Sequence, residues 1–163
     1  MIADKPRVVF DCMVYLQAAA REISRAATCW QMAKARQIRL FASREILNEV
    51  HDVLGRDRIR QRFDMLTDES VADFIADVRK VAAVLSNVPS HFDYYERDAK
   101  DEPYLNLAIE VSADYLISRD NDLLDLMSWK REVGREFQKR YRCLKIVTPE
   151  AFLAEINAAN ETV

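Results

Sequence analysis

The chain has 163 residues, half of them hydrophobic and 31% charged, with a formal net charge of -3. That length suits one domain with a full apolar core, and the composition is ordinary for a soluble globular protein. Two glycines exclude a Gly-rich phosphate loop or dinucleotide fingerprint, and the overall charge neither demands nor forbids nucleic acid.

Arg7-Val-Val-Phe-Asp11 opens the chain as a short apolar run ending on an acid, the pattern of a buried strand with Asp11 at its carboxyl end. Cys12 to Ala20 and Ser24 to Gln37 read as helices packed on a sheet, and Ile38 to Ala42 as a second strand. Ser43 is a good N-cap for the next helix, whose apolar stripe is Ile46, Leu47, Val50, Val53 and Leu54. At about 3.6 residues per turn, Glu49 falls at the border of that stripe and Glu45 lies nearer solvent. Glu49 is therefore the better candidate to face a cleft, its alternative being an ordinary solvated helix acid.

Gly55 to Arg62 carries four arginines against one aspartate. Thr67 then caps a long helix running to about Leu85, with Val71, Phe74, Ile75, Val78, Val81, Ala82 and Leu85 on one side. Asn87 to Phe92 contains Pro89 and reads as an edge piece or loop. Glu96 to Glu102 is a charged loop leading into Pro103, which suits the first turn of a helix extending to Ala113. His51 and His91 lack a ligand partner at i+4 and fit surface or capping roles.

Asp114 to Leu124 reads as a strand running into a polar turn with Asp120 and Asp122, followed by a helix. Carboxylates crowded at a strand end repel unless a cation or proton holds them, and a hard divalent metal suits them. The other reading is that Asp120 or Asn121 caps the helix behind it. Trp129 to Arg142 mixes six basic residues with Trp129, Phe137 and Tyr141; it can stack bases and track phosphates, or be a solvated connection whose aromatics pack inward. Leu144 to Thr148 is a last strand, and Pro149 opens a closing helix to about Asn157.

Three cysteines without metal-ligand spacing fit reduced core thiols. With no signal-like apolar run at the start and no run of about 18 apolar residues, a cytoplasmic, soluble protein without membrane contact is expected. Strands alternating with helices imply an α/β fold with a mostly parallel sheet covered on both faces, residues 1–163 forming one domain with its core at about 7–153. Ligands of such sheets bind beyond the carboxyl ends of the strands, where Asp11, Glu49, Asp101 and Asp120 can converge around Mg²⁺ or Mn²⁺.

Four segments carry a family resemblance: Val8-Val-Phe-Asp-Cys-Met-Val-Tyr-Leu16, Ser43-Arg-Glu-Ile-Leu-Asn-Glu-Val50, Asp101-Glu-Pro-Tyr-Leu-Asn-Leu-Ala108 and Ala113-Asp-Tyr-Leu-Ile-Ser-Arg-Asp-Asn-Asp-Leu-Leu124. In that order they resemble PIN-domain ribonucleases, particularly toxin components of toxin–antitoxin systems. The resemblance implies an α/β/α sandwich and a Mg²⁺- or Mn²⁺-dependent endoribonuclease. Its acidic set would be Asp11, Glu49, Asp101 and Asp120, with metal held by Asp11, Asp101, Asp120 and the extra carboxylate Asp122. Ser118 matches the small hydroxyl residue before the fourth acid, and Ser118 and Arg119 are candidates for holding RNA. A small antitoxin partner and a homodimer are implied as well. One departure is Met13, where the family usually has Asn two residues after the first Asp. It motivates an alternative, a PIN-fold binding protein without catalysis. An aspartyl-phosphate phosphotransferase with Asp11 as nucleophile is a further alternative, disfavoured because no second acid stands two residues on.

Overall fold

The computed structural model describes residues 4–92 and 99–161. Five strands, β1 (Arg7–Phe10), β2 (Arg39–Ser43), β3 (Ala83–Leu85), β4 (Tyr115–Ile117) and β5 (Lys145–Val147), form one parallel sheet in the order β3-β2-β1-β4-β5. β1 lies in the centre, and its Val8, Val9 and Phe10 are buried between the two covered faces, which is why the run is apolar without alternation. Register pairs Val9 with Phe41 on one side and with Leu116 on the other.

The helices are α1 (Cys12–Ala19), α2 (Arg25–Lys34), α3 (Arg44–Leu54), α4 (Asp57–Arg62), α5 (Asp68–Val81), α6 (Glu102–Glu110), α7 (Asn121–Leu124), α8 (Glu132–Arg140) and α9 (Pro149–Glu161). Steps from β1 to β2 to β3 run one way across the sheet, and those from β3 to β4 to β5 run back. Right-handed crossovers then put α1 to α5 on one face and α6 to α8 on the other, giving a three-layer α/β sandwich. α9 returns to the first face and packs on α2. No helix among the described residues is long and apolar enough to cross a membrane.

The caps match local chemistry. Ser24 and Ser43 accept hydrogen bonds from Ala27 N and Ile46 N at the starts of α2 and α3, and Thr67 forms a reciprocal capping box with Ser70 at α5. Three helices end on residues with positive φ, Arg21, Arg36 and Ser112, where glycine is usual. Each is followed by the wrapping bond of that motif, from Glu22 N to Gln17 O, Gln37 N to Met32 O and Ala113 N to Ala108 O. With two glycines in the chain these ends fall to other residues, and two of the three use arginine.

The expected helix from Thr67 to Leu85 is corrected. It ends at Val81, Ala82 is extended (φ -88°, ψ 150°), and Ala83–Leu85 pair with Phe41, Ala42 and Ser43 as the edge strand β3. Ala82-Ala83 carries no breaker residue, so the apolar spacing runs on unmarked across the boundary. The helix behind Pro103 stops at Glu110 rather than Ala113, and the closing helix runs to Glu161. Glu96, Arg97 and Asp98 of the charged loop lie outside the described residues.

Candidate metal and active site

The sheet reverses its order between β1 and β4, and both strands end there in acids. This switch point is where ligands of open parallel sheets bind. Asp11 follows β1 and caps α1, its Oδ1 accepting from Val14 N at 3.1 Å. Ser118, Arg119 and Asp120 follow β4, and Asp120 caps α7 by accepting from Asp122 N at 2.8 Å. The capping role read for Asp120 is therefore real, and it coexists with the acidic cluster.

Asp101 comes from a separate segment, a 3-10 turn, Ala99–Asp101, that leads into α6. It is 7% exposed. Asp101, Asp120 and Asp122 each offer a carboxylate oxygen, all within 4.8 Å of one another. Glu102, the next residue in the chain, is not in that set.

Asp11 stands just outside the trio. Its carboxylate is 4% exposed, with the Ser118 hydroxyl and Arg119 N (3.3 Å) both donating to Oδ2. Ser118 also accepts from Asp120 N at 2.9 Å, so one wholly buried hydroxyl ties the two strand-end acids together. Burial pushes the Asp11 pKa up, and the Asp120 charge adds to it, against the lowering effect of the hydrogen bonds. Holding Asp11 ionised therefore costs stability that a neighbouring cation would offset. Its engaged oxygens do not present the open nucleophile that phosphotransfer needs.

Glu49 is half-buried on α3 and accepts from the Tyr104 hydroxyl at 2.9 Å, whereas Glu45 is exposed. Tyr104, on α6 one turn after Asp101, is buried, and burial with the nearby Cys12, Glu49 and Asp11 charges pushes its phenol far up. Cys12 is likewise pushed up to about 12, by burial first and then by Glu49 and Asp11. It is an inert thiol at neutral pH. Tyr104 was not singled out in the sequence. Its signal was the three-residue spacing from Asp101, which places both on one side of the helix start.

Ser118 and Arg119, the two residues before Asp120, both have partners within the chain. The Ser118 side chain is fully buried against Asp11. Arg119 turns its guanidinium to Gln17 (3.1 Å) and, in a two-bond fork, to Glu150 (3.1 and 2.6 Å). That fork is what lowers the Glu150 pKa. Met13 is 44% exposed in the first turn of α1.

Residues 7–122 match the PIN domain family, most of the chain, and include Asp11, Glu49, Asp101, Asp120 and Asp122. The chain belongs to the PIN-domain family. A search of curated proteins finds no match. PIN domains are generally nucleases that use divalent metals and bind RNA substrates, and the three-carboxylate group of this PIN domain has the chemistry such a metal needs. Three like charges this close repel unless a cation lies among them, and an all-oxygen donor set suits hard Mg²⁺ or Mn²⁺.

Replacing Asp11 by Asn tests the cost of this arrangement. A carboxylate whose folded pKa is raised contributes stability below its unfolded pKa and loses it as pH rises through the folded value. Above that window the ionised group is a burden, which Asn removes while still accepting from Val14 N. In EDTA at pH 8, Asp11→Asn is expected to melt about 2–4 °C higher, the equivalent of roughly 1 kcal/mol at this size. The gain should vanish near pH 4. Melting curves at both pH values check it, and a loss at pH 8 would refute the burial cost.

Proposed function

We propose that this PIN domain is a divalent-metal-dependent endoribonuclease that hydrolyses RNA phosphodiester bonds, acting as the toxin of a toxin–antitoxin pair. The observation that carries the nuclease reading is the approach of Asp101, Asp120 and Asp122 to within 4.8 Å at the switch point of the sheet. The toxin reading rests on the four sequence segments that resemble that branch of the family.

In this reading Asp101, Asp120 and Asp122 hold Mg²⁺ or Mn²⁺, with Asp11 beside them. A metal held there would supply activation of water and neutralisation of charge on the leaving oxygen. The chain's own residues do the positioning. Ser118 fixes Asp11 relative to Asp120 by bonding to both. Tyr104 fixes Glu49 at the border of the site, where it can orient or accept a proton from the attacking water. Arg119 acts through its backbone N–H on Asp11, while its guanidinium braces α1 against α9. A small antitoxin occupying the acidic mouth, and a homodimer, complete the assignment, with residues 1–163 as one domain in the cytoplasm.

The test is cleavage of a mixed RNA pool by purified protein with Mg²⁺, with Mn²⁺ and with EDTA. Cleavage with either metal, abolished by EDTA, is expected. No cleavage under any condition would overturn the enzyme assignment and favour a PIN-fold binding protein, with Met13 at the family's usual Asn position as the reason.

A further inference from the structure

Beyond the acidic site, a groove of about 570 Å³ lies along the outer side of β5, its lining including Trp129, Lys139, Tyr141, Arg142 and Lys145. Three of these side chains are cationic and none is anionic. Trp129 is 58% exposed, one of few large apolar side chains left in solvent among the described residues. The Arg135 guanidinium donates to Trp129 O at 2.7 Å and holds the backbone that presents the indole. Tyr141 packs on Phe137 and Phe92 with ring centroids 5.0 and 6.3 Å away, giving the groove a rigid floor.

The cations here are unevenly used. Lys145 pairs with Glu155 at 3.4 Å, but among the described residues Lys139 and Arg142 form no ion pair. Two uncommitted cations flanking an exposed indole match a flexible polyanion carrying flat bases, since phosphates meet the charges and a base stacks on the ring. The groove is also near the acids. From Asp122 the chain follows the rest of α7, the 3-10 turn Asp125–Met127 and two further residues to Trp129, a path of about 15 Å.

We infer that this groove is an exosite for single-stranded RNA, in which Trp129 stacks one base and Lys139 and Arg142 hold the adjoining phosphates, so that a strand cut at the acidic cluster is gripped at a second point. The inference rests on the nuclease reading for its ligand.

The protein's two tryptophans make the test direct, because Trp30 is buried and Trp129 is not. Titrating a single-stranded oligouridylate into the Asp120→Asn protein should quench tryptophan fluorescence. Adding Trp129→Ala should remove the quench and weaken binding about tenfold, followed by electrophoretic retardation. Adding Lys139→Glu and Arg142→Glu should lower the slope of log affinity against log salt by roughly 1.4. In otherwise wild-type protein, Trp129→Ala should raise KM for long RNA several-fold and leave cleavage of a dinucleotide unchanged.

Unchanged affinity and KM in both groove variants would overturn the exosite while leaving the nuclease intact. Equal competition by polyglutamate and oligouridylate would overturn it too, by showing a surface that selects charge alone. Trp129-dependent quenching in a protein whose wild type cuts no RNA would support the groove and remove the nuclease.

Discussion

Asp120→Asn and Asp101→Asn should each lower metal-stimulated RNA cleavage on the order of 10²–10³-fold, the scale on which loss of one preorganised charged group acts. The two carboxylates reach the cluster from different elements, the end of β4 and the start of α6, yet each contributes an oxygen to the same 4.8 Å group. Residues that act as one unit are not additive, so the double variant should be little worse than either single one. Folding should survive. Asn caps a helix as well as Asp, so the bond from Asp122 N to residue 120 persists, and the melting point should not fall. Asp120→Ala removes that cap as well and should cost about 1 kcal/mol. Assays of cleavage and of melting on the same preparations separate the two effects. If Asp120→Asn retained full metal-stimulated activity, the cluster would not be the active site. Induced expression should arrest growth with the wild type and not with either Asn variant, which tests the toxin reading separately.

What could be read in advance follows the range of the interactions. Asp11 and Asp120 stand out because a buried parallel strand is a continuous apolar run, and an acid at its end breaks the pattern locally. Glu49 over Glu45 follows from helical spacing alone, and the structure leaves Glu49 half-buried and Glu45 exposed. Ser118 is marked in the sequence by its place before an acid and as a candidate for holding RNA, not as a partner of Asp11. Its bond to Asp11 joins residues 107 apart, and the bond from Tyr104 to Glu49 joins residues 55 apart, so neither leaves a periodic trace. Arg119 shows the same limit from the other direction. Its place beside the acids suggests a hand for RNA, and what the sequence does not show is that Glu150, from the first turn of α9, accepts from both terminal nitrogens of its guanidinium. The basic, aromatic segment divided between its two readings: Phe137 is core, while Trp129 is exposed. The strand β3 was missed because a three-residue edge strand directly behind a helix, with no glycine or proline between, has too little sequence to carry its own signal.

The chain's two glycines should respond oppositely to alanine. Gly134 lies in α8, and a Cβ there would stand 2.2 Å from the Ser128 carbonyl oxygen and 3.3 Å from those of Asp125 and Leu126. All three are backbone atoms of the turn that follows α7, so none can swing aside as a side chain would. The glycine permits α8 to lie directly on that turn. Alanine gains roughly 1 kcal/mol of helix propensity, but a clash this severe with main chain falls at the upper end of overpacking costs, about 3 kcal/mol. The clash wins, and Gly134→Ala should lower the melting point by about 4–8 °C. Gly55, at the end of α3, has an ordinary helical φ of -88°, and its nearest atoms to an added Cβ lie at 3.5 Å. Gly55→Ala should therefore be neutral or slightly stabilising. Because the turn under α8 links Asp122 to Trp129, displacing it should also weaken RNA binding in Gly134→Ala and leave it unchanged in Gly55→Ala. Thermal melts of the two variants side by side decide the matter, and equal stability would mean that α8 does not rest on the turn.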